Sequence, residues 1–127
     1  MIILTIEEII ALHEKLIDRI GGSQGIRDIG LLESAVYSAE SSFDDVEMYP
    51  TVEEKSARLM FSLTNNHSFV DGNKRIGVLT MLMTLELNGI YLNYSQKELI
   101  DLGLSVAEGT TKYEEILDFI RNHKAQN

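Results

Sequence analysis

The chain contains no cysteine. A disulfide framework is therefore excluded, and so is any metal site built on thiolates. Basic residues are scarce: 11 Lys and Arg stand against 20 Asp and Glu, for a formal net charge of −9. A nucleic-acid-binding surface needs a basic face, so direct nucleic-acid binding is not expected. The acidity suits a basic partner or plain solubility. Long apolar runs are missing too. The longest, Ile76 to Leu85, falls far short of the about 20 residues that a membrane-spanning helix needs, so no membrane role is expected. The start, Met1-Ile-Ile-Leu-Thr5, has no basic residue and soon meets Glu7 and Glu8. It is not expected to act as a signal peptide, and a cytoplasmic protein is expected. There is no repeat, low-complexity tract or linker. The 127 residues are expected to form one domain, 1–127, with a core of its own.

What is present reads as helix. Four capping boxes, Thr5/Glu8, Thr51/Glu54, Ser95/Glu98 and Thr111/Glu114, each precede an apolar-periodic segment. In such a box the hydroxyl accepts the third amide proton while the carboxylate reaches back to the cap amide. The first helix carries Ile6, Ile9, Ile10, His13, Leu16, Ile17 and Ile20 on one face and stops at Gly21-Gly22. A second begins at Asp28. Residues 41–50 break the pattern and read as a surface loop or short hairpin. A third helix runs from Thr51 to about Asn65, and a fourth from near Asp71 to Asn88-Gly89. This fourth helix is apolar almost all round between Ile76 and Leu85, which marks a helix buried by several neighbours. The expected fold is all-α, a compact bundle of about six helices around the fourth.

The chemistry collects at the mouth of that helix, in His67-Ser-Phe-Val-Asp-Gly-Asn-Lys-Arg75. Backbone N–H groups at a helix start are unpaired and favour anions. Lys74 and Arg75 fall in the same turn, where the dipole disfavours cations. That combination points to an anion, and phosphate is the obvious candidate. A neutral imidazole at His67 can take a proton from a hydroxyl nucleophile; its neighbours favour that role over a plain surface histidine. Asp71 suits an N-cap and can also ligate Mg²⁺. Gly72 lets phosphate approach the backbone. Asn73 can donate to a phosphate oxygen or bond locally. Lys74 offers a mobile charge and Arg75 a planar fork for two oxygens. Ser68 reads as dispensable, and Phe69 and Val70 as pins to the core. The loop Gly21 to Gly25 lacks the Gly-Lys-Ser/Thr of a P-loop and follows a helix, so it reads as a connector. His13 reads as a core histidine with a local partner, and His123 has no readable role. No two histidines have metal-ligand spacing, and no Ser/His/Asp order can be assigned.

Residues His67 to Arg75 resemble the signature of the Fic/Doc superfamily, His-x-Phe-x-(Asp/Asn/Glu)-(Gly/Ala)-Asn-(Gly/Lys)-Arg. Lys74 is similar to the Doc (death-on-curing) branch, and Val78 stands where the Fic branch carries a further arginine. Leu12-His13, Gly21-Gly22, Gly25-Ile-Arg-Asp28, Leu31-Leu32-Glu33, Leu87-Asn88-Gly89 and Ala107-Glu-Gly109 also resemble Doc proteins. Asn65 and Ile76-Gly77 depart from the common pattern. The resemblance implies a Fic/Doc-like helical bundle with a short flap or hairpin before the third helix, and residues 41–49 are its counterpart here.

The implied activity is transfer of part of ATP to a protein hydroxyl, with Mg²⁺. In the Doc branch the γ-phosphoryl group goes to a threonine of elongation factor Tu; in the Fic branch AMP is transferred. Carried over by position, His67 activates the hydroxyl, Asp71 holds Mg²⁺, and Gly72, Asn73, Lys74 and Arg75 hold phosphates. Ser105-Val-Ala-Glu108-Gly109 is one residue short of the Fic inhibitory pattern and reads as a helix end, so restraint is expected from a separate antitoxin. Two alternatives stay open: adenylylation of a protein hydroxyl, and an inactive domain that only binds a partner.

Overall fold

The local chemistry of the caps decides where the helices begin. The structure, a computed structural model, describes residues 1–126. Its elements are α1 (Ile6–Ile20), α2 (Ile29–Ala39), β1 (Ser42–Phe43), β2 (Val46–Glu47), α3 (Val52–Asn65), α4 (Asn73–Leu87), α5 (Gln96–Glu108) and α6 (Tyr113–Asn122). The fold is all-α, with one small hairpin before the third helix. The hydroxyls of Thr5, Thr51 and Ser95 accept the N–H groups of Glu8, Glu54 and Glu98, whose carboxylates return the favour to the cap amides. Asp28 caps α2 through the Leu31 N–H.

The fourth predicted box, Thr111/Glu114, does not form. The Thr111 hydroxyl donates instead to Ser105 Oγ at 2.8 Å. The helix therefore starts one residue later, with the Lys112 N–H donating to Glu115 Oε1 at 3.0 Å. A tertiary partner outcompeted the local one.

Asp44 and Asp45 at the hairpin tip take φ of +51° and +63°, the left-handed pair that matches the twist of a tight hairpin. The hairpin is rooted by Lys55, which is buried. Its Nζ donates to the Ala39 carbonyl at 3.2 Å and lies 3.6 Å from Glu47 Oε1. The other end of the α2–α3 pair is marked by the Asp28 N–H donating to the Ser68 carbonyl. The hairpin root and residue 67 thus lie at opposite ends of α3, which at 14 residues is about 20 Å long. The hairpin itself stands before the third helix, in the chain position that the resemblance implies for the flap.

Helices α3 and α4 form the centre and contribute to both halves of the core. One half gathers Leu32, Val36, Leu59, Leu63, Phe69 and Ile76 with α1 and α2; the other gathers Met60, Met81, Leu85, Val106, Ile116 and Ile120 with α5 and α6. The two helices approach closely at Gly77. A Cβ there would collide with the Thr64 hydroxyl oxygen and stand 3.1 Å from the Met60 carbonyl oxygen. This explains a glycine that costs a helix interior about 1 kcal/mol relative to alanine.

His123, unreadable in the sequence, is a staple. Its Nδ1 lies 2.8 Å from the Phe119 carbonyl and its Nε2 2.6 Å from Glu98 Oε2, while the ring stacks on Phe119. Both ring nitrogens face acceptors, which suits the imidazolium. The Glu98 hydrogen bond raises the pKa of His123, and the His123 hydrogen bond, with those of Ser95, holds Glu98 at about 2.

Two predictions follow from this packing. Gly77→Ala should lower stability by about 1–3 kcal/mol in urea unfolding despite its better helix propensity, because the added methyl overpacks against backbone; Thr64→Ala in the same chain should recover part of the loss. The Glu98–His123 pair should be pH-sensitive. The histidine's contribution is full below 6.5 and fades as pH rises through its raised folded value. The glutamate's is full above 4.5 and fades as pH falls toward about 2. The Tm difference between the natural chain and His123→Ala should therefore peak between pH 4.5 and 6.5 and shrink on either side.

Candidate active site

The turn from α3 into α4 is shaped by residues that the α1–α2 loop clamps. Asn66, capping α3, donates to the Leu31 carbonyl at 2.8 Å and accepts from the Ser68 hydroxyl at 2.6 Å. The Ser68 carbonyl accepts two N–H groups, from Arg27 at 2.8 Å and Asp28 at 3.0 Å. Ser68 is fully buried. It is a hub of the turn, and its reading as dispensable is corrected by that burial. Val70, expected to pin the loop, is instead exposed; its backbone does the pinning, donating to the Gly25 carbonyl at 3.0 Å. Phe69 is buried as expected, with its backbone bridged antiparallel to Ile26.

His67 stands out of this clamp. Its φ is +56°, a left-handed conformation that costs a non-glycine residue about 1–2 kcal/mol. Arg27 steadies it, the guanidinium Nε donating to the His67 carbonyl at 2.6 Å. The His67 side chain is exposed and makes no hydrogen bond among the described residues. Its imidazole is thus open to an incoming group while its backbone is held.

Asp71 is not the cap of α4. That position belongs to Gly72, at φ +76° with no side-chain cap. The Asp71 carboxylate accepts instead from Ser23 N–H at 3.1 Å (Oδ2) and from Gly72 N–H at 2.9 Å (Oδ1). Those two bonds, helped by the nearby Arg75 charge, lower its pKa below the usual carboxylate value. The Gly21 to Gly25 loop is therefore more than a connector: it supplies a donor to the site. A Cβ at Gly22 would stand 2.7 Å from Asp71 Oδ2, so only glycine admits the carboxylate there.

Asn73 takes the local option. Its Oδ1 accepts from Phe69 N–H and its Nδ2 donates to the Phe69 carbonyl, both at 3.0 Å. This closes the turn on itself and is the local option the sequence offered, while Asn73 still lines the pocket with its neighbours. Lys74 is half-buried and lays its stem against α5, where a Cβ at Gly103 would stand 3.3 Å from Lys74 Cγ. Arg75 is exposed and has no ion-pair partner among the described residues.

These groups share one pocket of about 510 Å³, lined by His67, Asp71, Gly72, Lys74 and Arg75, with α1 (Ile17, Ile20) and α5 (Ala107) as walls. Helices α1, α2, α3 and α5 spend a side-chain oxygen on their first amides; α4 spends none. Its first-turn N–H groups carry no side-chain cap, the arrangement that favours an anion. The sequence reading also missed the part His13 plays. His13, buried on α1, places Nε2 2.7 Å from the Asp71 carbonyl and stacks on Phe69 at 3.8 Å. Its partner is 58 positions away, so no local pattern announces it.

Among known proteins, the model described as the Fic/DOC family matches residues 3–85. The chain is 40% identical over 72 residues to "Toxin Doc" of Mycolicibacterium smegmatis, covering 57% of this chain and 55% of that protein. It is 31% identical over 117 residues to "Protein kinase doc" of Escherichia phage P1, covering 91% of this chain and 90% of that one. The chain thus spans about half the length of the first relative and nearly all of the second. The pocket at the α4 mouth lies in a chain that belongs to the Fic/DOC family, on its Doc side.

Proposed function

We propose that this protein is the toxin of a toxin–antitoxin pair, transferring the γ-phosphoryl group of ATP to a threonine or serine hydroxyl of a translation factor. Elongation factor Tu is the target that the resemblance implies. The observation that carries the reading is the uncapped amino terminus of α4, which shares a pocket with two cations, an anionic carboxylate and an unengaged imidazole. The name of the phage relative, "Protein kinase doc", supports phosphoryl transfer over AMP transfer.

The residues suit the two groups such a reaction needs. The α4 amides, Lys74 and Arg75 together match a polyphosphate, with Gly72 removing the side chain that would stand in its way. Asp71 is held ionised by two backbone donors, and each of its oxygens retains a lone pair for a cation. Among the described residues no group of three or more acidic or imidazole side chains is placed to hold a metal. Mg²⁺ takes one or two carboxylates and completes its shell with phosphate and water, so Asp71 is the residue that would hold it. When bound, Mg-ATP supplies the phosphoryl group with its charge partly neutralised.

The protein's own part is positioning and charge. The imidazole of His67 would accept the proton of the target hydroxyl as its oxygen bonds to the γ-phosphorus, the bond from that phosphorus to the β–γ bridging oxygen breaking and ADP leaving, while Arg75 and Lys74 stabilise the charge spread over the transferring oxygens. Asn73 holds Phe69 and the turn in register from its place in the pocket wall. Glu108 ends α5, and Gly109 caps it at φ +85° while the Ser105 carbonyl accepts the Thr110 and Thr111 N–H groups. That segment is a helix stop, so restraint falls to a separate antitoxin. No described helix is long and apolar enough to cross a membrane, and the proposed target is cytoplasmic.

Incubation with γ-labelled or α-labelled ATP and elongation factor Tu tests the reaction. Label should pass to the factor from the γ position only; transfer from the α position alone would overturn the kinase reading in favour of adenylylation. His67→Ala should abolish transfer and relieve growth inhibition on expression, and unchanged toxicity would favour a pure binding role. Arg75→Ala should leave the thermal melt in place, since the side chain is exposed. It should cut turnover about 10–100-fold, the value of one lost charge-assisted contact.

A further inference from the structure

We propose that His13 is a positioning residue of this site, selecting the orientation of the Asp71–Gly72 peptide and so aiming the Asp71 carboxylate and the mouth of α4. The argument begins with Gly72. Its φ of +76° is open to glycine, but so is the negative alternative, because glycine populates both. The peptide plane before it could therefore rotate, and some contact must choose. His13 makes that contact. A carbonyl oxygen only accepts, so the 2.7 Å approach of Nε2 to the Asp71 oxygen requires the proton on Nε2.

A trans peptide is planar, with its C=O and N–H pointing to opposite sides. Tying the Asp71 oxygen inward to α1 thus turns the Gly72 N–H outward, where Asp71 Oδ1 accepts it at 2.9 Å. With the plane rotated, that N–H would face the imidazole, and the carboxylate would lose one of its two donors. The ring itself is fixed: it is 1% exposed and lies 12° from parallel to Phe69, whose backbone Asn73 clips on both sides. Space confirms the fit, since a Cβ at Gly72 would stand 3.6 Å from His13 Nε2 and 3.0 Å from Ile17 Cδ1. His13 touches no reacting atom; it acts through Asp71.

The catalytic consequence rests on the proposed function, whereas the structural half needs no substrate. In the free protein, amide exchange at Gly72 and Ser23, the two donors to Asp71, reports whether the carboxylate is held. His13→Phe keeps a ring against Phe69 and removes the donor; His13→Gln supplies an amide N–H at similar reach. The Phe variant should exchange both amides about tenfold faster, with the core amides of α3 and α4 unchanged, and the Gln variant should restore protection. In the transfer assay the Phe variant should need about tenfold more Mg²⁺ for half-maximal turnover, with the Gln variant close to the natural chain. If His13→Phe does not fold, His13→Leu makes the same comparison.

Unchanged exchange at Gly72 and Ser23 overturns the proposal. So does equal acceleration throughout α3 and α4, which would mark a packing role, or a Gln variant no better than Phe. A natural chain inert toward labelled ATP would overturn the proposed function, and the exchange result would still decide the role of His13.

Discussion

The site depends on keeping the amino terminus of α4 free of any protein cap. A helix start left open exposes unpaired N–H groups, and burying them without partners is costly. Most helices here solve the problem with a hydroxyl or carboxylate. For α4 the obvious cap residue, Asp71, is pulled one position back, and its carboxylate is satisfied by Ser23 and Gly72. A left-handed glycine then enters the helix with no side chain over the amides. The vacancy is built: it takes a second left-handed residue at His67 and the anchorage of Ser68, Arg27 and Asn66 to hold the turn in place.

That anchorage explains why the rest of the bundle has its form. The turn is gripped from α1 and the α1–α2 loop, so these must pack against the α3–α4 pair, and Phe69 and Ile76 join them in one core cluster. Close approach of α3 and α4 fixes the spacing of the two ends of the turn. It is achieved with small residues at the contact, Gly77 against Thr64. Among the described residues the hydroxyls of Ser56, Thr64 and Thr80 are buried without hydrogen-bond partners. Each such group is worth about 1–3 kcal/mol against folding. By contrast the Thr84 hydroxyl bonds back to the Thr80 carbonyl at 2.7 Å, the usual escape for a helical threonine. The structure offers no corresponding account for the other three.

The helices were legible in the sequence because their signals are local. Three capping boxes, the Asp28 cap, the glycine stops and the apolar stripe of α1 each need only a few neighbouring residues. The motif from His67 to Arg75 was legible because helix polarity and the charges of Lys74 and Arg75 occupy adjacent positions. What escaped was set by distant partners. Thr111 lost its cap to Ser105, Ser68 drew its importance from Arg27 and Asp28, and His123 from Glu98. His13 looked like core because it is core, and only folding brings the Asp71 carbonyl to it. Asn73 was ambiguous until the Phe69 backbone closed around both ends of its amide.

The charge pattern sets the range over which the pocket works. With a net charge of −9, the protein as a whole repels a polyphosphate, so long-range steering cannot bring the nucleotide in. Screening limits that repulsion to about 8 Å at physiological ionic strength. Within the pocket the balance reverses, because Lys74, Arg75 and the open α4 amides act at contact distance, where desolvation strengthens them. On the proposed function, phosphate recognition is therefore short-range and geometric, decided by how well the turn aims its donors. The same acidity that discourages a free nucleotide favours approach of a basic protein surface. On that reading the chain would select its partner by field and its nucleotide by fit, and the orientation of one peptide at Gly72 would matter more than the total charge.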